Sequence, residues 1–113
     1  MSEPSDDLAS RPCVACRGGT PPLRGEAIAA LLPKLDGWRA EGAHHLTKEF
    51  AFKDFRDALA FVNRVGELAE AQRHHPDVHL AWGRVRIDVW THKIDGLTES
   101  DFVLAAKIDR LPR

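Results

Sequence analysis

Apolar positions along the chain change their spacing several times, and each spacing predicts one type of secondary structure. Three stretches have apolar residues at steps of three and four, which is typical of one face of an α-helix. They lie within residues 26–35, 54–75 and 98–108. Proline lacks the backbone donor that a helix interior needs, so we expect Pro33 to end or kink the first helix near Leu32. Carboxylate and hydroxyl caps are predicted at the starts of the other two helices.

Alternating apolar and polar residues predict four strands, joined in pairs as two hairpins. The first hairpin joins residues 38–41 to 45–52 through Gly42-Ala43. The second joins residues 78–82, through Gly83-Arg84, to a strand that begins at residue 85 and, if it persists, reaches His92. The elements therefore follow the order α-β-β-α-β-β-α. This order predicts an α+β fold in which three helices cover one face of a four-stranded antiparallel sheet.

Residues 1–22 have no apolar periodicity and are rich in proline, so we expect a poorly ordered N-terminal arm before a single domain at residues 23–113. The arm contains both cysteines, Cys13 and Cys16. A zinc site normally has four ligands, and a thioredoxin-like pair normally opens a helix, whereas this pair precedes a Gly- and Pro-rich loop. We therefore favour a reduced pair over a metal-binding or redox pair.

The overall charge excludes several classes of function. Among 113 residues, 16 are Lys or Arg and 17 are Asp or Glu, which leaves a formal net charge of -1. Such a balance creates no general field that attracts nucleic acid or an anionic membrane.

No apolar run approaches the roughly 20 residues needed to span a bilayer, and the N-terminus lacks the pattern of a secretory signal, so we expect a cytoplasmic protein. A domain of this size buries only about two-thirds of its unfolded surface, which favours oligomerisation.

Four of the six histidines lie within residues 70–101. Histidine ordinarily titrates near neutrality, so it can both give and take a proton at working pH. Taken alone, His74 and His75 are about equally consistent with a functional role and with two surface histidines at a helix end. Pro76 favours the functional role somewhat, because it fixes the pair in a defined turn. His92 follows a predicted strand, where functional residues are common. We predict that His74, His75 and His92 line one pocket and perform acid/base chemistry without a metal.

A metal site is the competing interpretation of the same region. His74, His75 and His79 lie close together with Asp77 in the sequence. Their spacing matches none of the common zinc motifs, and adjacent residues of an extended chain point to opposite faces. We therefore rank metal binding below proton transfer. We expect His79 to be structural and the pair His44-His45 to be solvated.

Other residues near the histidines have both structural and functional interpretations. Glu70 lies one helical turn before His74 and could orient its imidazole, although an exposed helix charge is common. Asp101 is at minimum the capping partner at the start of the last helix. Trp82 and Trp90 either pack on the sheet or form a wall for a flat ring ligand.

These residues together resemble the pterin-4a-carbinolamine dehydratase family over residues 26–111. The matching features, in order and at matching spacing, are Leu35-Asp36-Gly37-Trp38, Phe50-Ala51-Phe52-Lys53-Asp54-Phe55, Glu70 with His74-His75-Pro76, Trp82, Thr91-His92, and Gly96-Leu97-Thr98-Glu99 with Asp101. Each piece is weak alone, but the set is strongly specific. The stretch at residues 13–19 also resembles the N-terminal extension of bacterial and plant members.

The resemblance implies the same α+β fold, assembled as dimers or tetramers, and an enzyme that works without a cofactor. The implied reaction converts 4a-hydroxytetrahydropterin to quinonoid dihydropterin, which regenerates the cofactor of aromatic amino-acid hydroxylases. The family's three histidines fall on His74, His75 and His92; we favour the first and last for proton transfer and His75 for holding the pterin. The implied substrate-binding residues are Glu70, Arg73, Trp90, Thr91, Lys93 and Asp101. Many relatives have an acidic residue in place of Arg73 and a small one in place of Trp90.

The resemblance leaves two other functions open. Animal relatives also serve as dimerisation cofactors of a homeodomain transcription factor through a helical face, which would make this protein a non-catalytic binding module. A pterin-related role in molybdenum cofactor handling is the other. The sequence specifies no partner for either function.

Overall fold

The computed structural model describes residues 8–13 and 21–113, and the elements follow the predicted order. The helices and strands, with their bounds, are α1 (Gly25–Leu31), β1 (Arg39–Glu41), β2 (His45–Ala51), α2 (Phe55–Gln72), β3 (Asp77–Ala81), β4 (Arg84–Val89) and α3 (Glu99–Asp109). Short 3-10 turns at Leu8–Ser10, Leu32–Lys34 and His92–Ile94 complete the set. The predicted α+β fold is confirmed.

Local sequence signals explain where the helices begin and end. Helix α1 gives way to the 3-10 turn at Leu32, as the proline in the next position predicted. The carboxylate of Asp54 accepts a hydrogen bond of 2.9 Å from the backbone N–H of Asp57 and so caps α2. The capping box at the start of α3, formed by Thr98 and Asp101, is present as predicted. Each cap satisfies backbone donors that the helix itself leaves unpaired.

The four strands form one antiparallel sheet in the order β1-β2-β4-β3. The turn of the second hairpin is Trp82-Gly83, one residue earlier than predicted, because Arg84 already pairs with Ala81. A side chain at Gly83 would begin 2.9 Å from the backbone oxygen of Phe52, so this position requires glycine. Strand β4 ends at Val89, so it does not persist to His92.

One face of the sheet is covered by the helices, and the other is polar. Buried residues on the covered face come from β2, β4, α2 and α3; the largest include Leu46, Phe50, Val85, Ile87, Val89, Phe61, Val65, Phe102 and Ile108. The open face presents side chains of opposite charge, such as Asp88 on β4 beside Arg86 of the same strand and His79 of β3. This separation agrees with the alternation in the sequence, since successive strand residues point to opposite faces. No helix in the described part of the chain is long and apolar enough to cross a membrane.

Residues 8–13 lie against α3 and the end of α2. Leu8 belongs to the core, with 2% of its surface exposed. Lys107 Nζ donates a hydrogen bond of 2.8 Å to the carbonyl of Ala9, and Arg11 forms an ion pair with Glu99. The backbone N–H of Cys13 donates to the side chain of Gln72, the last residue of α2.

This segment therefore bridges the end of one helix and the start of another. The division at residue 22 into an arm and a domain stays a prediction. Residues 1–7 and 14–20, including Cys16, lie outside the described residues.

Leu8→Ala is expected to lower the free energy of unfolding by about 2–4 kcal/mol, because it removes buried methyl groups and leaves a cavity. Urea unfolding followed by circular dichroism measures the change. Leu59→Ala is the matched control, since Leu59 is 40% exposed and its truncation should cost less than about 1 kcal/mol. Equal costs for the two variants would contradict the expected contribution of the buried Leu8 side chain to stability.

The thiol of Cys13 gives the stability a pH dependence. Burial raises the pKa of the Cys13 thiol above its ordinary value; Lys107 lowers it and Asp101 raises it by smaller amounts. Because the folded state holds the proton more tightly, the protonated thiol contributes to the free energy of unfolding. This contribution is fully present below about pH 8.5, the pKa of an unfolded cysteine, and it is lost as the pH rises through the folded pKa. In a Cys16→Ser background, the free energy of unfolding of the protein that keeps Cys13 is compared with that of Cys13→Ser. We expect the advantage of the protein with Cys13 to fall from pH 8 to pH 10. An advantage that is constant across this range would contradict the expected burial of the thiol.

Candidate active site

His74 lies in the turn between α2 and β3, where the helix is ended by an unusual residue. Arg73 has φ 54° and ψ 39°, the left-handed conformation, and its backbone N–H bonds to the carbonyls of Ala69 and Glu70. Glycine normally occupies this position, and a residue with a side chain costs roughly 1–2 kcal/mol there. The chain then leaves the helix axis and places His74 beside α3.

The imidazole of His74 is hydrogen-bonded to a buried carboxylate. Its Nε2 lies 2.6 Å from Oδ1 of Asp101; the histidine side chain is 12% exposed and the carboxylate is completely buried. A carboxylate in this position accepts the Nε2 proton and so fixes the tautomer of the ring. Within residues 8–13 and 21–113, Nδ1 of His74 has no hydrogen-bond partner, which leaves it able to accept a proton.

The second oxygen of Asp101 holds the start of α3. Oδ2 accepts a hydrogen bond of 2.8 Å from the backbone N–H of Thr98 and one of 2.9 Å from the hydroxyl of Thr91. The two threonine hydroxyls lie 3.0 Å apart. One carboxylate therefore caps a helix with one oxygen and orients the imidazole of His74 with the other.

Glu70 binds His75, whereas the sequence predicted His74 as its partner. Its Oε2 is hydrogen-bonded to Nε2 of His75, and both side chains are largely exposed. A contact between residues four apart needs a continuous helix. Since α2 ends at Gln72, the left-handed residue that follows turns His74 away from Glu70 and brings His75 within its reach.

His92 lies on a loop whose base is closed. The backbone N–H of Thr91 donates to the carbonyl of Gly96 at 2.8 Å, and the reverse hydrogen bond is 3.4 Å long. A side chain at Gly96 would begin 2.7 Å from Cβ of Pro22, so the base of the loop rests directly on that proline ring. His92 is exposed at the start of the 3-10 turn, and its ring contacts Trp90 edge-on at 4.4 Å between centroids.

The three predicted catalytic histidines line one cavity of about 220 Å³. Its other walls are Arg73, Trp90, Thr91 and Lys93. Two further predicted site residues do not line it: Asp101 lies behind His74, and Glu70 contacts His75. The two tryptophans lie in different places: Trp82 is 69% exposed on the hairpin turn, whereas Trp90 is half-buried against the site.

Two further histidines lie beside this cavity, although the sequence did not predict them there. His44 and His45 were predicted to be solvated, but their rings lie 5.3 and 5.9 Å from the ring of Trp90. Nε2 of His44 is 2.6 Å from the carboxylate of Asp95, and the two Nδ1 atoms of the histidine pair are 3.1 Å apart. Strand register was the available signal: residue 46 pairs with residue 89, which places residues 44–45 beside residue 90.

The residues of the competing metal site, which the sequence disfavoured, are dispersed. His79 lies on the open face of the sheet, 3.4 Å from Asp88, and not with His74 and His75. Across residues 8–13 and 21–113, no group of three or more His, Cys, Asp or Glu side chains is arranged to hold a metal ion.

The fold and the site define a small α+β domain with a cavity of imidazoles, one of which is oriented by a buried carboxylate. The chain belongs to the pterin 4 alpha carbinolamine dehydratase family, whose sequence profile matches residues 21–111. A Rubrobacter xylanophilus protein named "putative pterin-4-alpha-carbinolamine dehydratase" is 61% identical over 105 residues, which cover 93% of this chain and 98% of the relative.

Two solved structures resemble the chain. The crystal structure of a transcriptional coactivator/pterin dehydratase from Brucella melitensis aligns with a TM-score of 0.73 and 35% identity, over 78% of this chain and 95% of that one. A pterin dehydratase-like protein identified as a RuBisCO assembly factor in the alpha-carboxysome aligns with a TM-score of 0.57 and 28% identity, over 66% and 87% of the two chains.

Proposed function

We propose that this protein is a dehydratase that removes water from 4a-hydroxytetrahydropterin and releases quinonoid dihydropterin. The single observation that supports this most directly is the imidazole of His74, held by the buried carboxylate of Asp101 in a cavity that also includes His75 and His92. Membership of a family named for this reaction supplies the substrate class. The product is the form that must be reduced to regenerate the pterin cofactor of aromatic amino-acid hydroxylases.

The chemistry needs one acid and one base and no cofactor. The bond between C4a and its hydroxyl oxygen breaks, a proton joins that oxygen to form water, and a proton leaves a ring nitrogen. His74 is the base: Asp101 holds the Nε2 proton, so Nδ1 accepts the proton from the ring nitrogen, and the carboxylate then stabilises the imidazolium. His92 is the acid that delivers a proton to the leaving hydroxyl. Afterwards, solvent returns both histidines to their starting states.

The remaining residues hold the substrate or position the histidines. Trp90 offers the flat wall on which a pterin ring can stack. His75, oriented by Glu70, binds the pterin, and Thr91 keeps Asp101 in place. Asp101 acts through His74, because it is completely buried and has no surface for contact with a ligand.

The experiment that tests this function is stopped-flow absorbance on chemically generated 4a-hydroxytetrahydropterin, with protein that has been treated with a chelator. We expect the wild type to accelerate the loss of water well above the uncatalysed rate. A rate equal to that of buffer alone would overturn the proposed function. Activity that is lost with the chelator and restored by a metal would overturn the metal-free mechanism.

A second candidate function, a protein-binding module, is favoured by the surface of α2. Phe55 and Leu59 lie one helical turn apart and remain 43% and 40% exposed. Adjacent exposed apolar residues on a helix are typical of a helix-binding surface. A Phe55→Ser/Leu59→Ser variant that keeps wild-type dehydration but loses a captured regulator would support this function. If the wild type and the Phe55→Ser/Leu59→Ser variant capture the same regulator equally, this surface is not the binding site.

We also propose that the chain assembles as a homodimer or homotetramer. Strands β1 and β3 form the two edges of the sheet, and unpaired edges readily bond to another strand. Sedimentation velocity at micromolar concentration is the test. A monomer under these conditions would contradict the proposed assembly.

A further inference from the structure

Two cationic side chains at the cavity have no partner among residues 8–13 and 21–113. Arg73 and Lys93 both line the cavity, and neither side chain forms a hydrogen bond, ion pair or ring contact with any of these residues. Several other cations in the described part of the chain are paired, as in the contacts of Lys48 with Asp109 and of Lys107 with the carbonyl of Ala9.

Three carboxylates beside the cavity are each hydrogen-bonded to a histidine and form no ion pair with either cation. Glu70 binds His75, Asp101 binds His74, and Asp95 binds His44. The cavity wall itself contains three imidazoles and two cations but no carboxylate. An anionic ligand that reaches these two cations therefore meets no like charge on the wall itself.

The backbone of Arg73 gives an independent reason to assign its side chain a role. Glycine and asparagine adopt the left-handed conformation of this position more easily than arginine does. Residues held in such strained conformations are concentrated at functional sites. Since no contact in the described part of the chain explains the arginine, its guanidinium remains available to a ligand.

We propose that the substrate of this site is a pterin whose side chain ends in a phosphate monoester, bound by Arg73 and Lys93. This inference rests on the proposed function, because it takes the ligand of the cavity to be a pterin. The acid/base chemistry at the ring needs only the histidines and leaves both cations unused. Near neutral pH a phosphate monoester has about two negative charges, which equal the charges of the two cations. The guanidinium offers a planar fork of donors to two phosphate oxygens, and the ammonium adds a compact charge.

The test compares 4a-hydroxytetrahydropterins that have the same ring and differ only at the end of the side chain: an alcohol, its phosphate ester, and a carboxylate of similar length. The ratio of kcat/KM for the phosphate to kcat/KM for the alcohol is measured in low salt. We expect a ratio of at least about 10 for the wild type, since one charge-assisted hydrogen bond is worth about 1.5–3 kcal/mol. A carboxylate preferred over the phosphate would overturn the assignment to a phosphate ester.

The variants Arg73→Asn and Lys93→Gln remove one charge each. Asparagine tolerates the left-handed conformation, so the first variant keeps the end of the helix. Each should lower the ratio about tenfold, mainly through KM. Lys53→Gln is the control, because Lys53 is an exposed cation outside the cavity; it should leave the ratio unchanged. If the control lowers the ratio as much as the other two variants, the effect is one of net charge and the inference fails.

A binding measurement separates this inference from the proposed function. The fully oxidised, unreactive alcohol and phosphate pterins are titrated while tryptophan fluorescence is recorded. We expect the phosphate to bind at least about tenfold more tightly, and Arg73→Asn to abolish the difference. Turnover of the alcohol with no preference for phosphate would overturn the inference and leave the dehydratase intact. Tight binding of the phosphate without turnover of any substrate would overturn the dehydratase function, and anion recognition by these cations would stand.

Discussion

His74→Ala should lower kcat for dehydration by about 10²–10⁴-fold, the usual contribution of a positioned general acid or base. The reason is geometric: His74 is the histidine of the cavity whose ring is fixed by a buried carboxylate, 2.6 Å away. Methyl in place of imidazole leaves the ring nitrogen of the substrate without an acceptor. Single-turnover stopped-flow absorbance measures the loss without interference from product release.

Two further variants make the result specific. His79→Ala removes a histidine from the open face of the sheet and should keep the wild-type rate. His74→Gln retains an N–H donor toward Asp101 but cannot transfer a proton, so it should be as inactive as His74→Ala while unfolding at a higher urea concentration. A His74→Gln protein with more than about a tenth of the wild-type rate would assign proton transfer to another group.

Asp101→Asn should reduce kcat by a similar factor, about 10²–10⁴-fold, through the tautomer of His74. The amide oxygen must stay on the side that accepts from Thr98 and Thr91, because those donors point at Oδ2. The amide N–H₂ then faces Nε2 of His74, which must become an acceptor. The ring proton moves to Nδ1, and the nitrogen that should accept the substrate's proton no longer can.

Stability distinguishes this effect from simple damage to the fold. Asparagine is itself a good cap, so Asp101→Asn should cost only about 1 kcal/mol. Asp101→Ala leaves several buried donors unpaired, at about 1–3 kcal/mol each, and should be far less stable. Glu99→Gln, an exposed change one turn from the site, should have neither effect. Equal activity of Asp101→Asn and wild type would exclude control of the tautomer by this carboxylate.

The secondary structure could be predicted because its signals are local. Pro33, the Asp54 cap and the capping box at Thr98 act on backbone groups within a few residues, so the sequence around each one determines where the helix begins or ends. The hairpin turn was misplaced by one residue because register depends on the partner strand, where Phe52 faces Gly83.

The contacts between site residues could not be predicted in the same way. Asp101 and His74 are 27 positions apart, and their contact depends on where the end of α2 meets the start of α3. Sequence spacing favoured Glu70 as the partner of His74, but that argument assumed a helix that continues past Gln72. Leu8 was missed for another reason: a single apolar residue in a polar arm has no periodicity from which burial can be predicted.

The closed loop at Thr91–Gly96 has a consequence for the rate at which a ligand enters the site. Because two backbone hydrogen bonds and Pro22 already hold its base, the wall that includes His92 needs no folding over the ligand. Encounter and binding should therefore be one event. The observed rate constant should rise linearly with ligand concentration, without the plateau of a slow closing step. Turnover would then be limited by proton transfer or by departure of the product, and not by motion of the protein.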